Sequence, residues 1–369
     1  MSQKSDNHLA LLPNGFVDLL PPEAEQEARA IAILMQNFAA FGYNRVKPPL
    51  VEFEDSLLAP GPGASLANET FRLMDPITHR MMGIRSDITP QTARIASARL
   101  GGEPRPLRLA YANDVLRTKA NQQRTERQFC QVGCEIIGAP DVEADIEACV
   151  LAVKGLKALG MKDITIDFAL PLVRGKVFAA AKVDVKEQAR ISKSLERRDQ
   201  DILKSQKGGL KAQVKALLDA SGNAAATLKK LSAAELPKSA LADVQAATQI
   251  FKGTQRAFDE LGFDDVTITC DALESKGFEY HGAFAFMLFA KGVRGELGRG
   301  GRYDVKFGEN GKGESATGFT LYMDTIRRAL PALEKKKIVK VAASESWQRI
   351  EKLQKEGAVV VRETGKKRK

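Results

Sequence analysis

The sequence predicts an α+β protein, an antiparallel sheet with helices grouped around it. Three observations carry this. Strand-like segments come in hairpin-linked pairs, most clearly at 107–116 and 127–137. Helical periodicity is confined to the stretches around them. No GxGxxG follows a strand and no Walker-type loop occurs, which disfavours a doubly wound nucleotide-binding fold.

The first helix is expected from about Pro22 to Phe41. Pro21 and Pro22 suit its opening turn, and Glu23, Glu25 and Glu27 complement the positive end of its dipole. Ala24, Ala28, Ile31, Met35 and Phe38 recur at helical spacing as its buried stripe. Tyr43–Phe53 is extended by strand propensity and by Pro48 and Pro49, and Arg80–Arg85 closes a short strand. Thr89 and Pro90 form an N-cap and N1 pair that starts a helix to about Leu100. Leu107–Leu116 and Arg127–Ile137 then make an antiparallel hairpin with the polar loop Arg117–Glu126 at its tip.

Asp141–Gly160 reads as an amphipathic helix with an acidic start, and Asp163–Leu170 as an alternating strand. Residues 172–262 are rich in Ala, Lys, Leu and Gln and poor in strand formers, so several helices are expected there. Strands return at Asp265–Leu273, Gly282–Lys291 and Val293–Gly298, the last followed by a Gly-rich turn. Ala316–Leu330 begins as a strand and ends as a helix stopped at Pro331. The tail Lys337–Lys369 reads as strand, helix, strand, with Trp347, Ile350 and Leu353 on one helix face. The expected organisation is a core in two parts, 1–171 and 263–330. A mainly helical insertion, 172–262, interrupts it, and a short basic extension with a βαβ-like pattern, 331–369, follows it.

Composition bounds the function. With 369 residues, 44% hydrophobic and 28% charged, the chain can bury a large core, and disordered or collagen-like classes are excluded. No stretch approaches the ~18 apolar residues of a membrane span, and the start, MSQKSDNHLALLPNG, has no signal-peptide h-region. Four cysteines (Cys130, Cys134, Cys149 and Cys270) are too few for a disulfide framework and read as reduced thiols in a cytoplasm. The net charge of +10 invites a nucleic-acid reading, but it is localised. Residues 331–369 carry +7 and 186–260 carry +5, while the other 255 residues sum to −2. A global electrostatic footprint for nucleic acid is therefore missing.

Candidate chemistry gathers on the hairpin. Gln131, Gly133 and Glu135 alternate, so they share one face of the second strand; that face presents an amide and a carboxylate with open space between them. Cys130 and Cys134 take the opposite face, and their spacing fits no common zinc pattern, so no metal is expected. Taken alone, Glu135 fits a surface ion pair with an arginine equally well. Asp87 lies two residues before the Thr89 cap; a carboxylate there can bind an ammonium group or simply cap the helix. In Arg299-Gly300-Gly301-Arg302-Tyr303-Asp304 the glycines allow close approach of a ligand or make a turn. His281 beside Tyr280 can recognise a polar ligand or sit satisfied in a strand. With three histidines in the chain, a catalytic triad is unsupported, and no catalytic residue is assigned.

In this order the pieces resemble the catalytic domain of class II aminoacyl-tRNA synthetases, most closely histidyl-tRNA synthetase, from about Leu12 to Leu330. Val46–Leu50 is similar to the first motif, Leu116-Arg117 through Gln131 to the second, and Ala316–Arg328 to the third. Gln131-Val132-Gly133-Cys134-Glu135, and Lys276-Gly277-Phe278-Glu279-Tyr280-His281 with Gly300–Asp304, point to the histidine branch. The resemblance implies a histidine pocket at Asp87, Thr89, Arg117, Gln131, Glu135, Tyr280 and His281. Asp87 and Gln131 would hold the α-ammonium and Glu135 would accept a hydrogen bond from the imidazole. His281 stands where the family has a tyrosine, while Tyr280 matches.

The departures from that family redirect the expected function. The synthetase Phe-Arg-x-Glu is here Leu116-Arg117-Thr118-Lys119, the arginine that ends the third motif is Thr325, and the carboxylate-activating arginine is Lys276. Losing one such electrostatic donor typically costs roughly 10²–10³ in rate, and lysine lacks the planar fork of arginine. Only 39 residues follow Leu330, against a full anticodon-binding domain in a synthetase. Asp87, in Arg85–Arg94, stands where synthetases usually carry Glu. The chain is thus similar to the regulatory subunit of ATP phosphoribosyltransferase, a synthetase paralogue. That resemblance implies a non-catalytic, cytoplasmic protein without cofactor that pairs with a short catalytic subunit in the first step of histidine biosynthesis. It further implies a homodimer within a hetero-octamer and L-histidine as effector. Two other classes stay open: a divergent amino-acid-activating enzyme, and an RNA-binding paralogue using the basic insertion and tail.

Overall fold

Hairpin pairing organises the larger part of the molecule, as the alternation of apolar residues dictates. The computed structural model describes residues 11–59, 63, 66–120, 124–274, 281–305, 313–333 and 337–363. They belong to two compact units, Met1–Leu330 and Pro331–Lys369. In chain order the first unit runs α1 (Glu23–Ala39), β1 (Asn44–Arg45), β2 (Val51–Phe53), α2 (Glu54–Leu57), β3 (Phe71–Met74), β4 (Met81–Ile84), α3 (Thr89–Ala98), β5 (Leu107–Leu116) and β6 (Gln128–Ile137). Then come α4 (Val142–Ala158), β7 (Ile164–Ala169), α5 (Val173–Ala180), α6 (Val185–Glu196), α7 (Ile202–Ser205), α8 (Gly208–Leu218), β8 (Ser221–Asn223), α9 (Ala224–Ala233) and α10 (Lys238–Leu261). The unit ends with β9 (Val266–Asp271), β10 (His281–Ala290), β11 (Gly298–Val305), β12 (Glu314–Tyr322) and α11 (Met323–Arg327).

Among the described residues, nine strands form one sheet in the order β1-β5-β6-β12-β11-β10-β7-β9-β8, and β2-β4-β3 form a second. The large sheet is antiparallel through its centre, with parallel pairs at β1–β5 and β7–β9. It is therefore mixed, and the α+β expectation holds. One face of the sheet is the main core. Cys130, Val132, Cys134 and Ile136 of β6 pack there with Leu34 and Phe38 of α1 and Leu151 and Leu156 of α4. Val177, Leu195, Val214, Leu228 and Ile250, from the helical stretch, are buried in the same cluster. All four cysteines are buried and free. No helix among the described residues is long and apolar enough to cross a membrane.

Three local expectations are corrected. In α1 the buried positions are Ala30, Leu34 and Phe38, while Ala24 and Ala28 are exposed. The stripe is rotated because Glu27 faces Arg327 of α11, at 3.4 Å, and occupies the inward position of the early turns. Of the strand expected at Val293–Gly298, residues 293–297 are irregular, and Gly298 opens the glycine-rich stretch that is itself strand β11. A Cβ at Gly300 would lie 2.4 Å from the Gly318 carbonyl oxygen and 2.5 Å from the Phe286 ring, so the glycine serves close strand packing and not a bend. Finally, Thr89 is the first residue of α3 rather than its cap. Asp87 Oδ1 accepts from the Thr89 amide instead, at 2.9 Å, which frees the Thr89 hydroxyl for other use.

Where a side-chain cap does form, its loss is measurable. Asp184 Oδ1 accepts from the amides of Lys186 and Glu187, each at 3.0 Å, at the start of α6. Asp184→Ala is expected to lower stability by about 1 kcal/mol in urea titration, the usual worth of an N-cap.

In the second unit β13 (Ile338–Ala342) and β14 (Val359–Glu363) pair in parallel across α12 (Trp347–Lys355), the strand–helix–strand order read from the tail. Ile350 is buried, but Trp347 is 68% exposed, with the Arg362 guanidinium 4.4 Å from its ring centroid.

Candidate ligand-binding site

The face of the large sheet opposite the main core is where the polar residues of β6 point. Register fixes their neighbours. Gln131 lies opposite Asn113 and Tyr322, Gly133 opposite Tyr111 and Thr320, and Glu135 opposite Leu109 and Gly318. Gly133 does not leave the open space expected of it, because the Tyr111 hydroxyl fills the position a Cβ would take, 2.6 Å away. Tyr111 in turn hydrogen-bonds the Thr320 hydroxyl at 2.6 Å.

Glu135 is 2% exposed and forms the centre of the site. Its Oε2 accepts from the Tyr303 hydroxyl at 2.9 Å, and its Oε1 accepts from the Thr89 hydroxyl at 3.1 Å and the Tyr111 hydroxyl at 3.5 Å. Among the described residues none of its contacts is a cation, so the ion pair open at the sequence level does not form. Burial pushes its carboxyl up to about 8, against the hydrogen bonds from Tyr303 and Thr89 that pull it down. A neutral or nearly neutral acid at pH 7 is thus held ready among hydroxyls.

Asp87 forms the second group. Its Oδ1 caps α3 through the Thr89 amide, and its Oδ2 accepts from Gln131 Nε2 at 2.9 Å. Gln131 is fully buried and its Oε1 accepts from the Ile88 amide at 3.0 Å. Both ends of this amide therefore fix the α3 N-terminus and Asp87. Arg117 stands over Asp87, its Nη2 4.0 Å from Oδ2, with Nε near the Glu69 carboxylate and the Ser86 carbonyl oxygen, both at 3.3 Å. Its guanidinium carbon lies 5.4 Å from the Phe129 ring centroid.

Thus five of the seven residues selected from sequence (Asp87, Thr89, Arg117, Gln131 and Glu135) converge on one connected network. Tyr280 lies outside the described residues, as does Lys276. The backbone of His281 pairs opposite Tyr303 on β11, and its side chain is outside the described set. Two participants escaped sequence reasoning. Tyr303 sat inside the quoted glycine motif, and Tyr111 lies opposite Gly133 once the hairpin register is set by the Arg117–Arg127 closure. Of the positions that depart from the synthetase pattern, Lys119 is exposed and Thr325 is buried in the middle of α11. No group of three or more His, Cys, Asp or Glu suited to a metal occurs among the described residues. A cavity of about 520 Å³ lies elsewhere, at the β1 edge of the sheet between Asn44, Leu100, Pro104 and Arg108.

Comparison with known proteins gives the chain that carries this network a family. Residues 15–326 match the histidyl-tRNA synthetase family. The chain is 48% identical to an ATP phosphoribosyltransferase regulatory subunit of Rhodospirillum centenum, over 88% of this chain and 81% of that one. It belongs to that regulatory-subunit family. A regulatory subunit from Paramagnetospirillum magneticum is 45% identical over 87% of this chain and 82% of its own. The resemblance read from the motifs is borne out. The fold agrees: a crystal structure described as an ATP phosphoribosyltransferase regulatory subunit/histidyl-tRNA synthetase from Bacillus halodurans has a TM-score of 0.81, at 20% identity, over 97% of this chain and 94% of that one. Histidyl-tRNA synthetase from Nostoc superposes with a TM-score of 0.76, at 17% identity, over 97% of this chain and 86% of that one. The regulatory-subunit family thus keeps the synthetase-like sheet, and in this member the polar face of that sheet carries the Glu135 and Asp87 groups.

Proposed function

We propose that the chain is a non-catalytic, histidine-sensing subunit of ATP phosphoribosyltransferase, required by a short catalytic subunit in the first step of L-histidine biosynthesis. One observation carries the proposal: Asp87, Thr89, Arg117, Gln131 and Glu135 form one network that joins two carboxyl groups to a guanidinium, while Lys119 and Thr325 replace the glutamate and arginine of the synthetase pattern. Asp87, oriented by Gln131, takes the α-ammonium, Arg117 the α-carboxylate, and Glu135 the imidazole. In the same proposal Tyr280 and His281 complete the pocket, and the protein works in the cytoplasm as a homodimer within a hetero-octamer. Residues 172–262 act as an insertion in the pocket-bearing core, and 331–369 as a basic extension available to partners. No cofactor is required.

Histidine can shift the partner only through a difference in its affinity for the active and inhibited states of the complex. The test is co-purification with a short catalytic subunit, followed by assay of phosphoribosyl-ATP formation with and without L-histidine. The chain alone should be inactive, the pair active, and the pair inhibited by histidine. An inactive pair, or one indifferent to histidine, would sink the proposal. Histidine-dependent ATP–pyrophosphate exchange by the chain alone would favour an activating enzyme instead.

A further inference from the structure

Beside the amino-acid site lies a buried cation with no part in the proposed recognition. Arg124 is 6% exposed. Its guanidinium carbon lies 3.8 Å from the Tyr322 ring centroid and 4.2 Å from that of Phe129, in the corner made by two rings 6.0 Å apart and inclined at 83°. Nη1 is 3.5 Å from Oδ1 of Asp324, whose side chain is fully buried and also faces Arg328 at 3.7 Å. A desolvated guanidinium against two aromatic faces is a strong and directional contact, because the ring quadrupole attracts the cation and the planar group stacks.

Both rings belong to the site wall. Tyr322 is in register with Gln131, which holds Asp87, and Phe129 is the ring beside which Arg117 stands. The geometry points to Arg124 as a positioning residue: wedged between Phe129 and Tyr322 and anchored on Asp324, it fixes the wall that keeps Arg117 over Asp87. Arg124 touches no ligand in this scheme. It acts through Phe129 on the cation that meets the ligand carboxylate.

This inference rests on the amino-acid-binding proposal, yet its first readout is independent of any ligand. Phenylglyoxal modification of Arg117, followed by peptide mass spectrometry in the full-length protein, should be several-fold faster in Arg124→Ala than in wild type. With ethylguanidinium, which can refill the corner, present at the same concentration in both samples so that its own consumption of phenylglyoxal is common to them, the ratio of the Arg124→Ala rate to the wild-type rate should return towards one. Arg124→Lys should behave like Arg124→Ala, since an ammonium has no planar face; Arg124→Gln serves if the alanine variant does not fold. In the second readout, L-histidine affinity by calorimetry should fall about tenfold in Arg124→Ala, a loss equivalent to 1.4 kcal/mol. Ethylguanidinium should recover it. Unchanged Arg117 reactivity in both Arg124→Ala and Arg124→Gln overturns the inference, as does a rise that ethylguanidinium cannot reverse. If wild type does not bind histidine, the histidine proposal fails, and the Arg117 reactivities still decide the role of Arg124.

Discussion

Glu135→Gln is expected to weaken L-histidine binding by about 10- to 150-fold, the worth of one buried hydrogen bond to a charged group at roughly 1.5–3 kcal/mol. The substitution keeps size and hydroxyl partners but removes the acid that receives the imidazole. Calorimetry across pH gives a sharper signature. The free carboxyl sits at about 8 because burial disfavours its charge, and free imidazole titrates near 6.5. Between these values a neutral acid meets a neutral imidazole, and one proton is shared as carboxylate and imidazolium. Below about 6.5 binding must release a proton, and above about 8 it must take one up. Affinity should therefore peak between the two and fall on both sides, and Glu135→Gln should abolish the alkaline fall. A variant that binds histidine like wild type at pH 7 would remove Glu135 from the imidazole contact.

The same group also sets a pH dependence of stability, with a definite sign. Its folded-state value is raised from 4.5 to about 8, so the folded protein holds the extra proton in that window. Stability from this source is full below about 4.5 and is lost as pH rises through about 8. The whole shift corresponds to an upper bound of roughly 5 kcal/mol. Glu135→Gln removes that slope. Its melting temperature relative to wild type should accordingly be higher at pH 8.5 than at pH 5.

Where a site residue obeyed strand parity, the sequence was sufficient. Gln131 and Glu135 face one way and Cys130 and Cys134 the other because side chains alternate, and the structure puts the cysteines in the core and the polar pair at the site. Parity alone did not reveal Tyr111, since an aromatic in an apolar strand reads as core until Gly133 is known to lie opposite it. Composition misled at Gly298–Val305, where glycines that look like a turn are demanded by Phe286 and by the Gly318 carbonyl oxygen on neighbouring strands. The rotation of the α1 stripe depends on Arg327, far away in sequence, and the parallel β1–β5 and β7–β9 pairings join segments separated by several other elements. Local periodicity could be read; contacts closed only by tertiary packing could not.

Gly318→Ala should be the most damaging single methyl in the site. Gly318 lies opposite Glu135 on the neighbouring strand, and a Cβ there would stand 2.0 Å from Glu135 Oε2 and 2.3 Å from the Cys134 carbonyl oxygen. The carboxylate can swing away only by abandoning Tyr303 and Thr89, and the carbonyl is part of the β6 backbone. Both costs apply together. Overpacking of this kind is expected at the upper end of its range, about 3 kcal/mol. For a unit of this size that is a fall of about 4 °C in melting temperature. The larger effect is on binding, because the displaced carboxylate no longer meets the imidazole: histidine affinity should drop at least as far as in Glu135→Gln. A double-mutant cycle separates the two contacts. In a Glu135→Ala background the methyl has lost its clash with the carboxylate but keeps the one with the backbone, so its stability cost should shrink without vanishing. An undiminished cost in that background would mean that Gly318 is required by the strand alone and not by the site.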